Sequence, residues 1–324
     1  MRFPLLVFWL FSLFLLLLPC LAFLAARAAG WVLGFGVSCR GFVLAAILLV
    51  AGWWLLYFYG HCIGRFRCEV RRVEIATRVP RSFRGYRIVQ ISDLHLDGWR
   101  GHADVLRRRV EEINALCPDL VCFTGDLVSL SAQEIEPFVP ILRGIRARDG
   151  VVSVLGNHDY LPYARQLTPK ERMQEVERII STQREQLGWT LLLNDHITVA
   201  RGKDSIAVLG CENHSVGVHP VIQRGNLKKA MRGTDGMTRI LLTHDPSHWR
   251  AEVVGQTDIA LTLSGHTHAM QLRILGYTPS GFLYPECDGL YEEGGQWLHV
   301  NIGLGGTLPM RIGATPEITL ITLK

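Results

Sequence analysis

The chain has 324 residues, a hydrophobic fraction of 48% and a formal net charge of +5. This length leaves room for one large or two ordinary domains, and the mean hydropathy of +0.19 is high for a purely soluble protein. The eight cysteines show neither a disulfide-framework spacing nor a zinc-ribbon spacing, and no aromatic-interleaved basic stripe accompanies the positive charge. Composition therefore argues against a disulfide scaffold, a zinc ribbon and a nucleic-acid partner.

The apolar residues are concentrated at the N-terminus. Residues 3–26 contain no charged side chain, and residues 41–60 form a second uncharged run. Each run is long enough for a helix that crosses the ~30 Å hydrocarbon core of a bilayer. A cleaved signal peptide is the alternative for the first run, but its apolar core spans only about 7–15 residues. We therefore predict a membrane region over 1–62 with two transmembrane helices, about 3–26 and 41–60.

Arginines follow the second apolar run closely. The segment between the runs carries only Arg27 and Arg40, whereas the flank after the second run carries Arg65, Arg67, Arg71, Arg72, Arg78, Arg81 and Arg84. Such an excess is retained on the cytoplasmic side of the membrane and contacts anionic lipid headgroups. We therefore expect a multi-pass protein whose catalytic part faces the cytoplasm.

The segment 63–85 is a basic linker that includes a predicted strand, and a catalytic domain is predicted over 86–324. Early in this domain, strand patterns alternate with helical patterns over 104–115 and 132–145. Alternation of strands and helices is typical of α/β layering.

A helical pattern over 169–187 follows, and from Thr190 onward the sequence favours hairpins. The helix is an ordinary packing helix or, because the segment 160–187 leaves the predicted site directly, a cap over the substrate. Hairpins in the second half predict mixed rather than purely parallel sheets.

Ligand-type side chains come directly after successive strand patterns. They are Asp93 and His95, Asp126, Asn157 with His158 and Asp159, His244, and His266 with His268. Because α/β folds keep their sites at the carboxyl ends of strands, we expect these side chains to converge. Asp93 and His95 are two positions apart, so both can reach one ion, and Asp126 is the natural bridge between two ions. Nitrogen and oxygen donors suit Mn, Fe, Zn or Mg rather than a thiolate-selective metal.

The order Asp-x-His, Gly-Asp, Gly-Asn-His-Asp, His and Gly-His-x-His resembles the calcineurin-like metallophosphoesterase family, from about Tyr86 to Lys324. The resemblance implies an α/β sandwich of two mixed β-sheets flanked by helices. It also implies one metal ion held by Asp93, His95, Asp126 and His268, and a second held by Asp126, Asn157, His244 and His266. His158, which the family does not use as a ligand, would lie near the leaving oxygen, with Asp159 orienting it.

Within the family, the chain is similar to the membrane-attached bacterial phosphodiesterase branch of the YaeI/YkuE type. The similarity rests on Ser264–His268 followed by Gln271 and on the glycine-rich ending from Gly303. Many members have Gly-Gly where this chain has Ala269-Met270. Some members are linked to cleavage of UDP-2,3-diacylglucosamine in lipid A synthesis, which implies a place in the bacterial inner membrane.

These observations predict a membrane-anchored dinuclear-metal phosphohydrolase that cleaves a phosphodiester or pyrophosphate bond, with a lipid-linked substrate such as UDP-2,3-diacylglucosamine. A general phosphodiesterase or nuclease without lipid specificity would share every ligand. A non-catalytic membrane metal-binding sensor is disfavoured because no ligand has been replaced. No substrate-binding residue can be named, and His214 and His219 are expected at the surface or in a supporting role.

Overall fold

The computed structural model describes residues 2–217 and 222–324. Within them the chain forms two compact units. One comprises the residues up to Arg65 together with Leu308–Ile312, and the other comprises Phe66–Thr307 with Gly313–Lys324. The first unit is mainly helical, and the second holds all the strands described below.

The first unit is built on two long apolar helices, α1 (Arg2–Leu33) and α2 (Arg40–Cys62). Both are long and apolar enough to cross a membrane by length and composition. They pack through aromatic side chains, with the rings of Phe8 and Tyr57 centred 4.3 Å apart. The indole N–H of Trp54, which is exposed, donates to the buried Ser12 Oγ at 3.2 Å.

The second unit holds two six-stranded sheets. Its strands are β1 (Glu69–Ile75), β2 (Arg87–Ile91), β3 (Leu120–Phe123), β4 (Val151–Ser153), β5 (Thr190–Leu191), β6 (Asp195–Arg201), β7 (Asp204–Gly210), β8 (Thr238–Leu242), β9 (Leu261–Ser264), β10 (Gly289–Glu293), β11 (Gln296–Val300) and β12 (Glu317–Leu323). The first sheet has the order β1-β12-β2-β3-β4-β5, and the second has the order β10-β11-β9-β8-β7-β6.

Both sheets are mixed. In the first, β2, β3, β4 and β5 run parallel, and β12 pairs antiparallel with β2. In the second, β7, β8, β9 and β11 run parallel, and β6 and β10 pair antiparallel at the two edges. The predicted sandwich of two mixed sheets is therefore confirmed.

The helices of this unit are α3 (Ala103–Ala115), α4 (Val139–Leu142), α5 (Pro169–Ser181) and α6 (Leu227–Ala230), with π-helical turns at Thr182–Gln186 and Trp249–Val253. The prediction of one helix over 132–145 is wrong. This stretch forms two 3-10 turns before the short α4, because Pro137 and Pro140 lack the backbone N–H that a continuous helix needs.

Alternating side chains of β2 show how one strand serves two cores. Ile88 lies in the core between the sheets, whereas Val89 and Ile91 lie in the core that the helices cover. Toward the carboxyl ends of the strands, the space between the sheets becomes polar. There Gln90 Nε2 donates to the Ser264 carbonyl oxygen at 2.8 Å, and Gln90 Oε1 accepts from His299 Nδ1 at 2.8 Å. This polar layer joins the sheets directly below the site residues.

Candidate dinuclear metal centre

The loops that follow β2, β3 and β4 of the first sheet meet the loops that follow β8 and β9 of the second. All seven predicted ligands come together there. Six are buried and His266 is half-buried; the set is Asp93, His95, Asp126, Asn157, His244, His266 and His268. Residues scattered along the sequence thus converge because the strands in each sheet run parallel and end at a shared edge.

Four of these side chains form a first group around Asp126. The Nε2 atoms of His95 and His268 lie 3.2 Å apart, and His268 Nε2 lies 3.4 Å from Asp93 Oδ1. Asp126 Oδ2 lies 3.5 Å from His95 Nε2. The four residues present their donor atoms within 4.8 Å of one another.

A second group lies on the other side of Asp126. His244 Nε2 is 3.3 Å from Asp126 Oδ2 and 3.1 Å from Asn157 Oδ1. His266 Nδ1 lies 2.9 Å from Asn157 Oδ1 and 3.2 Å from His244 Nε2. The same oxygen of Asp126 therefore faces both groups, while its Oδ1 accepts the backbone N–H of His158 at 2.8 Å.

Hydrogen bonds on the far side of the rings fix which nitrogen faces the centre. His244 Nδ1 donates to the Thr124 carbonyl oxygen at 2.7 Å, so its Nε2 is the nitrogen that faces the centre. His95 Nδ1 hydrogen-bonds Ser129 Oγ at 3.2 Å, and His266 Nε2 lies 2.9 Å from Tyr284 Oη. These contacts hold each of the three imidazoles in one orientation, which a metal ligand would need.

The backbone at the centre is held in an uncommon conformation. Five of the seven predicted ligands have positive φ: Asp93 (53°), His95 (45°), Asp126 (59°), His266 (77°) and His268 (52°). Non-glycine residues in this region cost about 1–3 kcal/mol each and persist where the surrounding structure over-determines them. Asp93 and His95 thus lie beyond the end of β2, as the sequence pattern predicts.

Electrostatics at the centre favour a cation. Burial raises the pKa of Asp93 to about 6, although His244 opposes this. Burial also disfavours the charged form of Asp126, but His244 and then His158 hold the pKa of Asp126 well below its usual range. Burial alone would lower the pKa of His244, and Asp126 nevertheless raises it to about 10. Positive charge therefore stabilises the buried carboxylates of Asp93 and Asp126. In the described ion pairs of these two residues, the positive partner is always an imidazole.

The donor set fits divalent metal ions. Metal–nitrogen bonds of about 2.0–2.1 Å, at tetrahedral or octahedral angles, bring neighbouring donors to about 3.0–3.4 Å from each other. The imidazole pairs His95–His268 and His244–His266 both have nitrogen atoms 3.2 Å apart. Carboxylate, amide and imidazole donors match Mn, Fe, Zn or Mg.

His158 and Asp159 lie beside the metal ligands with different partners. His158 Nδ1 donates to the Ser129 carbonyl oxygen at 3.0 Å, and its ring is centred 4.8 Å from that of His95. The Asp159 carboxylate instead accepts four backbone N–H groups, those of Asp126, Leu127, Val128 and Gly156, at 2.9–3.2 Å. Asp159 therefore shapes the loop that carries Asp126. The Ser129 carbonyl orients His158, a role that the family resemblance predicted for Asp159.

Further residues reach the centre without having been predicted. Tyr163 has its ring centred 4.6 Å from that of His158, and Tyr284 contacts His266. Asp245 Oδ2 lies 3.5 Å from His266 Nε2. Of these three, only Asp245 could have been predicted from the sequence, because it directly follows His244. Tyr163 and Tyr284 come from loops outside the ligand motifs, and only the fold brings them to the centre. His214 lies with His248 and Glu252 and not with the centre, and His219 falls outside the described residues.

Comparison with known proteins gives a consistent result. Residues 86–270 match the family model of the calcineurin-like phosphoesterases. The uncharacterized metallophosphoesterase YkuE of Bacillus subtilis is 33% identical over 257 residues, which cover 76% of this chain and 82% of that protein. A transmembrane protein with a metallophosphoesterase domain from Danio rerio is 32% identical over 299 residues, covering 89% of this chain and 63% of that protein.

A third relative carries a substrate in its name. The UDP-2,3-diacylglucosamine pyrophosphatase LpxG of Chlamydia trachomatis is 28% identical over 298 residues. The aligned region covers 78% of this chain and 88% of that protein. The similarity therefore extends over most of both chains.

Proposed function

The chain belongs to the calcineurin-like metallophosphoesterase family, and we propose that it uses two divalent metal ions to cleave a phosphodiester or pyrophosphate bond in a lipid-linked substrate. Family membership makes it a metal-dependent phosphoester hydrolase and leaves the alternative of a non-catalytic sensor without support. The observation that carries the proposal is the position of Asp126, whose Oδ2 faces two groups of donors at once.

We assign the ligands to two ions that share Asp126. Asp93, His95, Asp126 and His268 would hold one, and Asp126, Asn157, His244 and His266 would hold the other. Divalent cations held in this way neutralise the charge on phosphate oxygens and acidify water at the site. The protein contributes a buried, pre-arranged donor set, which keeps the reacting groups in place before substrate arrives.

His158 is proposed to assist the departure of the leaving oxygen. Its Nδ1 proton is committed to the Ser129 carbonyl oxygen, so Nε2 is the nitrogen available to the substrate. An imidazole that donates a proton or positive charge to a departing oxygen contributes typically ~10²–10⁴ in rate. Asp159 acts on this step indirectly, because it holds the loop between Asp126 and Val128 through backbone hydrogen bonds.

We propose that residues 1–62 form a membrane region in which α1 and α2 cross the bacterial inner membrane, with residues 86–324 in the cytoplasm. Support comes from the length and apolar composition of the helices and from the arginines after α2. A fluorescent-protein fusion after Lys324 should fluoresce, and an alkaline-phosphatase fusion at the same position should be inactive. The opposite pair of results would reverse the proposed orientation.

A lipid-linked substrate is supported by an exposed apolar segment that follows the His268 block. We call residues 273–282 the apolar hairpin, since Ile274 and Tyr277 exchange backbone hydrogen bonds of 2.9 and 3.0 Å. The side chains of Leu275, Tyr277 and Phe282 are 94%, 83% and 92% exposed. Clustered exposed apolar side chains mark interaction surfaces, and acyl chains are a partner of matching chemistry. The name of the LpxG relative points to the same substrate class.

Substrate preference tests the proposal. We expect the purified chain in detergent to hydrolyse UDP-2,3-diacylglucosamine with a higher kcat/KM than bis-p-nitrophenyl phosphate. The double variant Leu275→Ser, Phe282→Ser should lose about tenfold or more of its preference for the lipid substrate, because burying one large apolar side chain contributes about 1.5–3 kcal/mol. Met173→Ser, at an exposed position of α5, is the matched control and should keep the preference.

The same measurements distinguish the alternative function. A general phosphodiesterase or nuclease would process the soluble ester at least as well as the lipid-linked compound, and the double variant would leave the ratio of the two activities unchanged. Either result would remove the lipid specificity from the proposal while leaving the hydrolase intact.

A further inference from the structure

A second cluster of metal-ligand side chains lies apart from the catalytic centre. His214 comes from the loop after β7, and His248 and Glu252 come from the segment after β8 that includes the π-helical turn Trp249–Val253. Their donor atoms all lie within 4.8 Å of one another. We call these three residues the outer histidine cluster.

The geometry of the outer histidine cluster suits one ion. His248 Nε2 lies 3.2 Å from Glu252 Oε2, and His214 Nε2 lies 3.7 Å from Glu252 Oε1. The two imidazole rings are centred 4.7 Å apart, with an angle of 36° between their planes. Both rings therefore direct a nitrogen toward the same carboxylate, at separations close to those of neighbouring ligands on one metal ion.

His214 lacks the hydrogen bonds that its burial calls for. Its Nδ1 is buried and has no hydrogen-bond partner among the described residues, and 3.7 Å from Nε2 to Glu252 is too long for a hydrogen bond. Buried polar groups in native proteins are hydrogen-bonded or bind an ion or water.

His248 is oriented for the same role. Its side chain is fully buried, and its Nδ1 lies 2.9 Å from Thr243 Oγ1. The Thr243 hydroxyl can donate or accept, so this hydrogen bond holds the orientation of the ring and leaves either tautomer open to it. In that orientation Nε2 faces Glu252 Oε2 at 3.2 Å.

We propose that His214, His248 and Glu252 bind one divalent cation of the Zn²⁺ class, separate from the catalytic ions. Two imidazoles and one carboxylate are an established ligand set for zinc. The side chains of Glu252 and His214 are 41% and 17% exposed, so the cluster opens to solvent and has an entry path. The site is independent of the substrate proposed above.

This ion would join two walls of a cavity next to the catalytic centre. The cavity has a volume of about 300 Å³, and Val216 and Gly217 line it from the loop that carries His214, whereas Arg250 and Ala251 line it from the turn between His248 and Glu252. Its lining also includes Asp245 and Tyr284, which both contact His266. A cation bound here would therefore hold together two walls of a cavity whose lining contacts His266.

Counting bound zinc tests the site. The full-length chain in detergent is stripped with a chelator, loaded with Zn²⁺, freed of excess metal by gel filtration and measured by mass spectrometry for bound zinc. The wild-type chain is expected to retain one more zinc per chain than His214→Ala or Glu252→Gln. His196→Ala is the matched control, because that histidine contacts the Ala230 carbonyl oxygen at 3.0 Å and lies outside the cluster.

Circular dichroism and Co²⁺ absorption distinguish loss of the site from misfolding and from non-specific binding. Glu252→Gln keeps the size of the side chain, and its circular dichroism should match the wild type while the Co²⁺ absorption of the outer site disappears. Equal zinc in the wild type and both cluster variants, or the same loss in His196→Ala, overturns the proposal. Because zinc and not turnover is counted, these outcomes do not depend on which phosphoester the enzyme cleaves.

Discussion

The catalytic centre and the outer histidine cluster use similar side chains on very different backbones. In the catalytic centre, five of the seven predicted ligands have positive φ. In the outer histidine cluster, none of His214, His248 and Glu252 has positive φ, and His248 has φ −60°. One site is thus held by residues with positive φ, and the other lies on a loop and a π-helical turn in which none of the three residues has positive φ.

The difference follows from what supports each site. Backbone hydrogen bonds tie the strand ends together: the N–H of Asp93 donates to Gly125 O at 2.9 Å, that of His95 donates to Asp126 O at 3.2 Å, and that of Gly265 donates to His244 O at 2.9 Å. Two sheets and these bonds over-determine the conformation, so the strain persists. We therefore expect substitutions at the centre to have large effects and strain-relieving substitutions at its margin to have small ones.

The largest effect is expected from Asp126→Asn. This change removes the charge that both donor groups share. Breaking a buried charge pair costs about 3–5 kcal/mol, which corresponds to a loss of roughly 10²–10⁴-fold in metal affinity. Hydrolysis of bis-p-nitrophenyl phosphate and bound metal should fall together. Asp195→Asn, at a 72% exposed side chain, is the control. Retention of full activity by Asp126→Asn would show that the two donor groups do not work as one centre.

His158→Asn is expected to lower kcat by about 10²-fold while bound metal stays at the wild-type level, because this residue is assigned to the leaving oxygen and not to a metal ion. The measurement is kcat together with metal content on the same preparation. Unchanged turnover would remove the proposed acid role, and loss of metal would make His158 part of the ligand set instead.

Asp159→Asn should lower the free energy of unfolding by about 3 kcal/mol, since an amide cannot accept four backbone N–H groups as the buried carboxylate does. Thermal unfolding in detergent measures this loss. Asp195 is exposed and makes none of these hydrogen bonds to the strand ends, so Asp195→Asn should unfold near the wild-type temperature. An equal shift in the unfolding temperature of both variants would contradict the proposal that Asp159 stabilises the backbone of the centre.

The polar layer below the centre predicts a dependence on pH. Burial lowers the pKa of His299 to about 3, whereas a histidine in the unfolded chain takes up a proton near its ordinary pKa of 6.5. Between these values the unfolded state binds more protons, so the free energy of unfolding falls as pH falls, by about 2 kcal/mol at pH 5. His299→Gln, which keeps a donor for Gln90, should remove this part of the slope. Parallel curves for the wild type and the variant would contradict the prediction.

The smallest effect is expected where strain can be relieved. Met270 has φ 47° and is 40% exposed, so Met270→Gly removes a left-handed non-glycine residue and should raise the free energy of unfolding by up to about 1 kcal/mol. The same substitution at Met173, within α5, should lower it by about 1 kcal/mol because glycine weakens a helix interior. Changes of the same sign at both positions would argue against strain at Met270.

Much of the site was predictable from the sequence because it depends on order along the chain. Strand patterns followed by ligand-type residues indicated which side chains converge, and the structure places all seven within one centre. The sandwich of two mixed sheets was also predictable, because strand–helix alternation and hairpin turns can be recognised from residues that are close together in the chain. The prediction of a helix over 132–145 is wrong because Pro137 and Pro140 interrupt the backbone hydrogen bonds, although the apolar residues follow a helical period.

The sequence by itself determined which predicted ligands come together, the two apolar helices and the layered fold, because each depends on residue type at short spacing. Only the tertiary structure decided that Asp159 serves the backbone of residues 126–128, that Tyr163 and Tyr284 reach the centre, and that His214 joins His248 and Glu252. These outcomes depend on where loops meet after two sheets have packed. Contacts between residues far apart in the chain leave no periodic signal in either segment alone.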